Sequence, residues 1–218
     1  RDDRVPGRDY GMGLEPLQAR GDVEVRFLPP RDYHELRTED LRGADAVITI
    51  EDLVTEDTLD GLDGLQLVAA FGAGMDHLAL DAITERGVPV VNSPQGPRDA
   101  VAQTTLGMLI TCASNSIRYN NLVREQGFEG RFENMGVALY GKTLGIIGMG
   151  MIGSRVLDLV APFEMEVLTH DPYLDEERAA ELGVERVDLD TLLRESDFVS
   201  LHCPLTDETR GMLGTEQF

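Results

Sequence analysis

Leu144-Gly-Ile-Ile-Gly148-Met-Gly150-Met-Ile-Gly153 is the stretch that decides the fold. Leu144–Gly148 predicts a strand, and a helix is expected from about Ile152 to Ala161. Ile152, Val156, Leu159, Val160 and Phe163 recur at i, i+4, i+7, i+8 and i+11, which is one helical face, and Pro162 stands at its end. The three glycines of such a strand–turn–helix have separate physical uses. Gly148 permits the tight turn, Gly150 lets a pyrophosphate approach the backbone, and Gly153 lets the helix pack close to the strand. The helix N-terminus presents N–H groups to phosphate charge. A GxGxxG pattern alone is weak, and a glycine-rich turn that binds nothing is the plainer alternative.

The context strengthens it. A second strand, Glu166–His170, ends at Asp171, 18 residues beyond Gly153. A carboxylate at that strand end accepts both hydroxyls of an adenosine ribose and repels the extra phosphate of NADP, which favours NAD(H). The competing reading is a solvated Asp before the turn-forming Pro172. His170 beside it is mostly neutral at pH 7 and softens the discrimination little. Helices near Asp175–Leu182 and Leu189–Glu195, then a strand Phe198–His202, continue the alternation.

Upstream lies a second region of the same kind. Strands are predicted at Ala46–Ile50, Leu65–Phe71 and Val88–Val91, with a Gly-rich bend and a helix near Leu80–Arg86. The apolar runs are continuous, as in parallel strands buried on both faces. Between the regions a single helix is expected over about Arg98–Gln126. Val101, Thr105, Met108, Leu109 and Cys112 form one face, and Leu106, Ile110, Ala113 and Ile117 another. A helix apolar on two sides is covered on two sides, by a neighbouring domain or a second subunit. Gly127–Gly141 reads as a loop. The fold class is therefore α/β, with two Rossmann-like domains: residues 1–93, flavodoxin-like, and residues 94–218, the first half of a Rossmann domain.

The 218 residues carry 40 Asp+Glu against 19 Lys+Arg, a formal charge of -21, and the one lysine is Lys142. That field repels nucleic acid and anionic membrane surfaces, so neither is expected as a partner. The bland explanation is an ordinary acidic cytoplasmic protein. The sharper one is adaptation to a high-salt cytoplasm, where salt screens self-repulsion; so few lysines among so many carboxylates resembles haloarchaeal protein surfaces. No secretory signal opens the chain, and the long uncharged stretch Ala100–Ile117 is too polar to span a membrane. Cys112 and Cys203 make neither a disulfide framework nor a metal cluster. Glu51-Asp52 and Glu56-Asp57 have no His company and read as solvated faces, so no metal site is expected. The chain starts without Met and stops at Phe218 in mid-pattern, which suggests that both ends are missing.

GKTLGIIGMGMIG, then HDPY at His170–Tyr173, then SDFVSLHCPLTDETRGM at Ser196–Met212, resemble the D-isomer-specific 2-hydroxyacid dehydrogenases, of the phosphoglycerate dehydrogenase-like kind. AAFGAGMDHLALDAITERGVPVVNSP, Ala69–Pro94, is similar to the same family's substrate-loop region. The resemblance spans roughly Asp45 to Phe218. It implies NAD as cofactor and a 2-hydroxy or 2-oxo acid as substrate. It implies that the substrate carboxylate is held by backbone N–H groups of the loop matching Gly72-Ala73-Gly74. Convergent amides of small residues suit an anion, and a plain tight turn is the alternative. On the cofactor side it implies Gly148, Gly150, Met151, Ile152 and Gly153 at the pyrophosphate, Asp171 at the ribose, Cys203 and Pro204 beside the adenosine half, and Thr105 at the head of the long helix. A homodimer, built through the cofactor domain with the long helix taking part, is also implied.

The sequence departs from the family at Pro97, where Asn is frequent, and at Gln103, where Glu is frequent. SPQGPRDAVAQ looks closer to a subgroup with unassigned substrates. The family's catalytic Arg, Glu and His all follow the strand matching Phe198–His202, beyond Phe218, so no catalytic residue is assigned and the fragment is expected to be inactive. His202 faces the adenosine slot, His77 neighbours the substrate loop, and His34 has no partner in the sequence. The family also contains NAD-sensing corepressors; that reading needs an exposed peptide groove, for which no candidate is visible.

Overall fold

The computed structural model describes residues 13–29, 34–128, 132 and 135–217. The chain divides into two compact units, one of Arg1–Phe71 and Met75–Asn92, the other of Gly72–Gly74 and Ser93–Phe218.

The first unit runs α1 (Glu15–Gln18), α2 (Thr38–Leu41), β1 (Ala46–Thr49), α3 (Glu56–Leu59), β2 (Leu67–Ala70), α4 (Leu80–Glu85) and β3 (Val90–Asn92). The strands form a parallel sheet in the order β1-β2-β3, with Ile48 opposite Ala69 and Ala69 opposite Val91. Its core gathers Leu36, Leu41, Val47, Val54, Leu59, Val68 and Ile83. The buried Thr58 hydroxyl is satisfied by the Leu36 carbonyl at 2.6 Å, as a buried polar group must be. Among the described residues, one face of this sheet is the more deeply buried. Val47 and Thr49 are buried, while Ile48 is 45% and Val91 48% exposed. The continuous apolar runs therefore do not correspond to strands buried on both faces here. Ile48, Ala69 and Val91 lie opposite one another on the more exposed face, with Ala69 half-buried.

The second unit runs α5 (Arg98–Ala113), α6 (Ser116–Gln126), β4 (Thr143–Ile147), α7 (Met151–Val160), β5 (Glu166–His170), α8 (Glu176–Leu182), β6 (Glu185–Arg186), α9 (Leu189–Glu195) and β7 (Phe198–Leu201). Its parallel sheet is ordered β6-β5-β4-β7. The central strand β4 does obey the both-faces rule: Leu144, Gly145, Ile146 and Ile147 are all buried. Asp175 and Asp188 cap α8 and α9, accepting from the Arg178 and Thr191 N–H groups at 2.7 and 2.8 Å. Such caps contribute about 1 kcal/mol each.

The expected helix Arg98–Gln126 is two helices. Asn115 adopts φ 53°, a left-handed conformation that Asn tolerates better than most residues, and this ends α5 before α6 starts. The predicted faces are corrected too. Ala102, Leu109 and Ala113 are buried, with Leu106 packed against the same core, so one stripe at i, i+4, i+7 and i+11 faces inward. Met108 is 65% and Ile117 68% exposed, and Cys112 and Ile110 also face outward. Among the described residues no helix is long and apolar enough to cross a membrane.

Candidate functional site

The glycine-rich turn joins β4, the strand at which sheet order reverses, to α7. Crevices at the carboxyl ends of strands beside such a reversal are where open α/β sheets take ligands. The three motif glycines are not equivalent. Gly148 has φ 92°, and a Cβ there would lie 2.6 Å from the Cys203 backbone nitrogen. A Cβ on Gly153 would collide with the Gly148 carbonyl. Both positions are glycine because protein backbone lies against them. Gly150 has φ -73° and ψ -159°, which any residue adopts, and a Cβ there would meet nothing within 4 Å. The fold does not require glycine at 150.

Gly150 is also the N-cap of α7, and it brings no side-chain cap. The amides of Met151, Ile152 and Gly153 open a ten-residue helix whose first N–H groups have no intrahelical acceptor. α8 and α9, by contrast, spend their capping Asp residues on this need. The fold thus leaves an uncapped, positively polarised helix end under an open backbone position.

Asp171 stands at the end of β5. Its Oδ2 accepts from the Met149 N–H at 2.8 Å and its Oδ1 from the Tyr173 N–H at 2.9 Å. The first bond ties the carboxylate to the glycine turn itself, so the two candidate recognition elements are one hydrogen-bonded assembly. The Tyr173 phenol donates to Glu208 Oε2 at 3.0 Å, which links the loops that follow β5 and β7. That carboxylate holds the phenol above its ordinary range.

Cys203 is half-buried beside Gly148, with Met212 Sδ 3.9 Å from its thiol, and Pro204 is exposed. Thr105 lies on α5, and its hydroxyl donates back to the Val101 carbonyl at 2.9 Å. Among the described residues no hydrogen bond joins it to the glycine turn. Gly72 has φ 147°, its N–H donates to Ser93 Oγ at 3.1 Å, and its carbonyl accepts from the Ser93 N–H at 2.8 Å. Ser93 therefore fixes the first peptide of the Gly72–Gly74 loop.

His202 Nε2 sits 2.9 Å from Ser200 Oγ, and burial holds the imidazole below its ordinary pKa. The Nε2 of His77 is buried, with no hydrogen-bond partner among the described residues. No group of three or more potential metal ligands occurs among the described residues. Sequence reasoning missed Met149, Tyr173 and Ser93, because each contributes a backbone amide or a short hydroxyl that carries no pattern.

The family model described as D-isomer specific 2-hydroxyacid dehydrogenase, NAD binding domain, matches residues 106–218. The chain is 37% identical to D-3-phosphoglycerate dehydrogenase of Methanocaldococcus jannaschii over 207 residues, covering 94% of this chain and 38% of that protein. It is 36% identical to glyoxylate reductase of Aeropyrum pernix, covering 95% of this chain and 64% of that protein. Among solved structures, D-lactate dehydrogenase of Aquifex aeolicus, complexed with NAD and lactic acid, superposes with a TM-score of 0.80. That match is at 32% identity, over 98% of this chain and 63% of that one. The chain thus spans between 38% and 64% of the length of these relatives.

Proposed function

The chain belongs to the D-isomer-specific 2-hydroxyacid dehydrogenase family, and from that premise we propose that it is part of an NAD-dependent oxidoreductase acting on a small 2-hydroxy or 2-oxo acid. NAD, when bound, supplies a nicotinamide C4 that exchanges hydride with C2 of the acid. The observation that carries the reading is Gly150: open space over an unstrained backbone, above the uncapped N-terminus of α7, with Asp171 tied to the same turn. The amides of Met151 and Ile152 would hold the pyrophosphate, and Asp171 the adenosine ribose, against NADP. Cys203 and Pro204 would flank the adenosine, with Thr105 on the cofactor side.

Residues 1–93 serve as the flavodoxin-like substrate domain, with Gly72-Ala73-Gly74 anchoring the substrate carboxylate. Residues 94–218 are the first half of the NAD-binding domain. No acid–base residue is assigned within the chain, so by itself it should bind the cofactor's adenosine half without turning over 2-oxo acids. The exposed apolar residues Met108, Ile110 and Ile117 support a twofold homodimer built on α5 and α6. Met108→Asp with Ile110→Asp should yield monomers in sedimentation; a monomeric wild type would refute the dimer. The charge of -21 supports a salt-adapted cytoplasmic protein, whose melting temperature should rise along a KCl series.

Gly150→Val tests the cofactor site. The variant should stay folded, losing about 1 kcal/mol or less because an aliphatic residue is a poorer N-cap than glycine, and bind NAD at least about tenfold more weakly in titration calorimetry, a loss of about 1.4 kcal/mol. Wild-type affinity in the folded variant would overturn the reading.

A further inference from the structure

We infer that Glu176 is a second determinant of cofactor choice, acting by occupying Arg186, an arginine placed to receive a 2′-phosphate; the inference rests on the cofactor reading above. A cavity of about 340 Å³ opens outside the carboxyl ends of β5 and β6. Asp171, His170, Glu176, Asp188 and Arg186 are in its wall. A ribose held at Asp171 presents its 2′ position to this region, and sites that accept NADP use a nearby Arg for the added phosphate. Among the described residues, Arg186 is the only Lys or Arg in the cavity wall.

Each charged neighbour is already committed. Asp188 spends both oxygens on Thr191, accepting from its N–H at 2.8 Å and its hydroxyl at 2.9 Å. Asp171 holds the Met149 and Tyr173 amides. His170 Nδ1 pairs with the Val187 carbonyl at 3.1 Å. The Arg186 guanidinium is paired with Glu176 rather than with Asp171: Nη2 reaches Glu176 Oε1 at 2.7 Å, and Nη1 donates to the Leu174 carbonyl. A guanidinium is the natural bidentate partner of a phosphate, and here its fork is turned to a carboxylate on the first turn of α8. The Glu176 side chain is 80% exposed, so the ion pair contributes little to stability. Its consequence is electrostatic: it neutralises the cation beside Asp171 and leaves the cavity wall to carboxylates.

The test is titration calorimetry of NAD and NADP against the wild type, Glu176→Gln, and Glu176→Gln with Arg186→Gln. Glu176→Gln should lower the preference for NAD over NADP roughly 10- to 150-fold, the span for one charge-assisted hydrogen bond. The gain should vanish in the double variant. Glu176→Ala, which also keeps Arg186, should repeat the single-variant result. An unchanged preference in both single variants overturns the proposal while NAD binding upholds the cofactor site. An equal gain in the double variant also overturns it, because relief of repulsion would then need no arginine. Failure of every protein to bind NAD removes the cofactor reading and this inference with it.

Discussion

Two glycine-rich turns leave parallel strands in this molecule, and they use glycine for different reasons. After β2, Gly72 takes φ 147° with nothing near its missing side chain. After β4, Gly148 combines φ 92° with backbone pressed against it, and Gly153 is closed in by the Gly148 carbonyl. The first turn needs conformational freedom and leaves space around it. The second needs room, because β7 continues into Cys203 directly beside the turn. Only Gly150, in the second turn, combines ordinary dihedrals with open space. Neither strain nor packing demands glycine at this position, which sits at the uncapped start of α7.

The largest effect should separate the two turns outright. Gly148→Ala faces both a positive φ and a backbone collision, and should cost about 3 kcal/mol or more in urea unfolding of the second unit. Gly72→Ala should cost about 1–3 kcal/mol, from φ alone. Equal costs would break the comparison.

Next, Asp171→Ala removes the carboxylate tied to the second turn. The preference for NAD over NADP in calorimetry should fall about 30- to 150-fold, or roughly 2–3 kcal/mol. A wild type that prefers NADP would show that this turn is read wrongly.

Ser93→Ala asks how firmly the first turn is held. The variant leaves the Gly72 N–H without its side-chain acceptor, at a cost of about 0.5–1.5 kcal/mol, and amide exchange at Gly72 should quicken. An unchanged exchange rate would mean that the Ser93 backbone bond fixes the loop unaided.

The smallest effect is the order in which acid loosens the two units. Burial holds His202 below its ordinary 6.5, so the unfolded chain takes up that proton first. Stability present above pH 6.5 is then lost as the pH falls through the folded value. Below the ordinary 3.8, further stability goes as Asp99, Asp188 and Asp197 are protonated. Their carboxyls are held down chiefly by the Arg98 guanidinium, the Thr191 amide and the Thr143 amide respectively. All four lie in the second unit; in the first, among the described residues, only Asp22, paired with Arg20, is held down in this way. Fluorine labels in each unit should report the second unit opening at higher pH.

The sequence by itself determined the strand–helix alternation, the helix expected from about Ile152 to Ala161 and found at Met151–Val160 with Val156 and Val160 buried, and the placement of Asp171 at a strand end. These are legible because periodicity and turn chemistry act between residues close along the chain. It also placed Gly148, Gly150 and Gly153 in one turn and gave each its own use: the turn, the approach of a ligand, and helix–strand packing. Only the tertiary structure decided that packing, and not the turn alone, demands Gly148, because the backbone that meets it comes from Cys203, far along the chain. The same holds for Gly145, where a Cβ would strike Ser196 and Leu192. The break at Asn115 was hidden because Ser114-Asn115-Ser116 sits inside an otherwise helical apolar run, and a single left-handed residue leaves no periodic trace. The Glu176–Arg186 pair was equally invisible: β6 is two residues long, and what brings its arginine to the first turn of α8 is the pairing of β6 with β5. Contacts made by a sheet's lateral order are written in no local pattern, since they depend on which strands lie side by side.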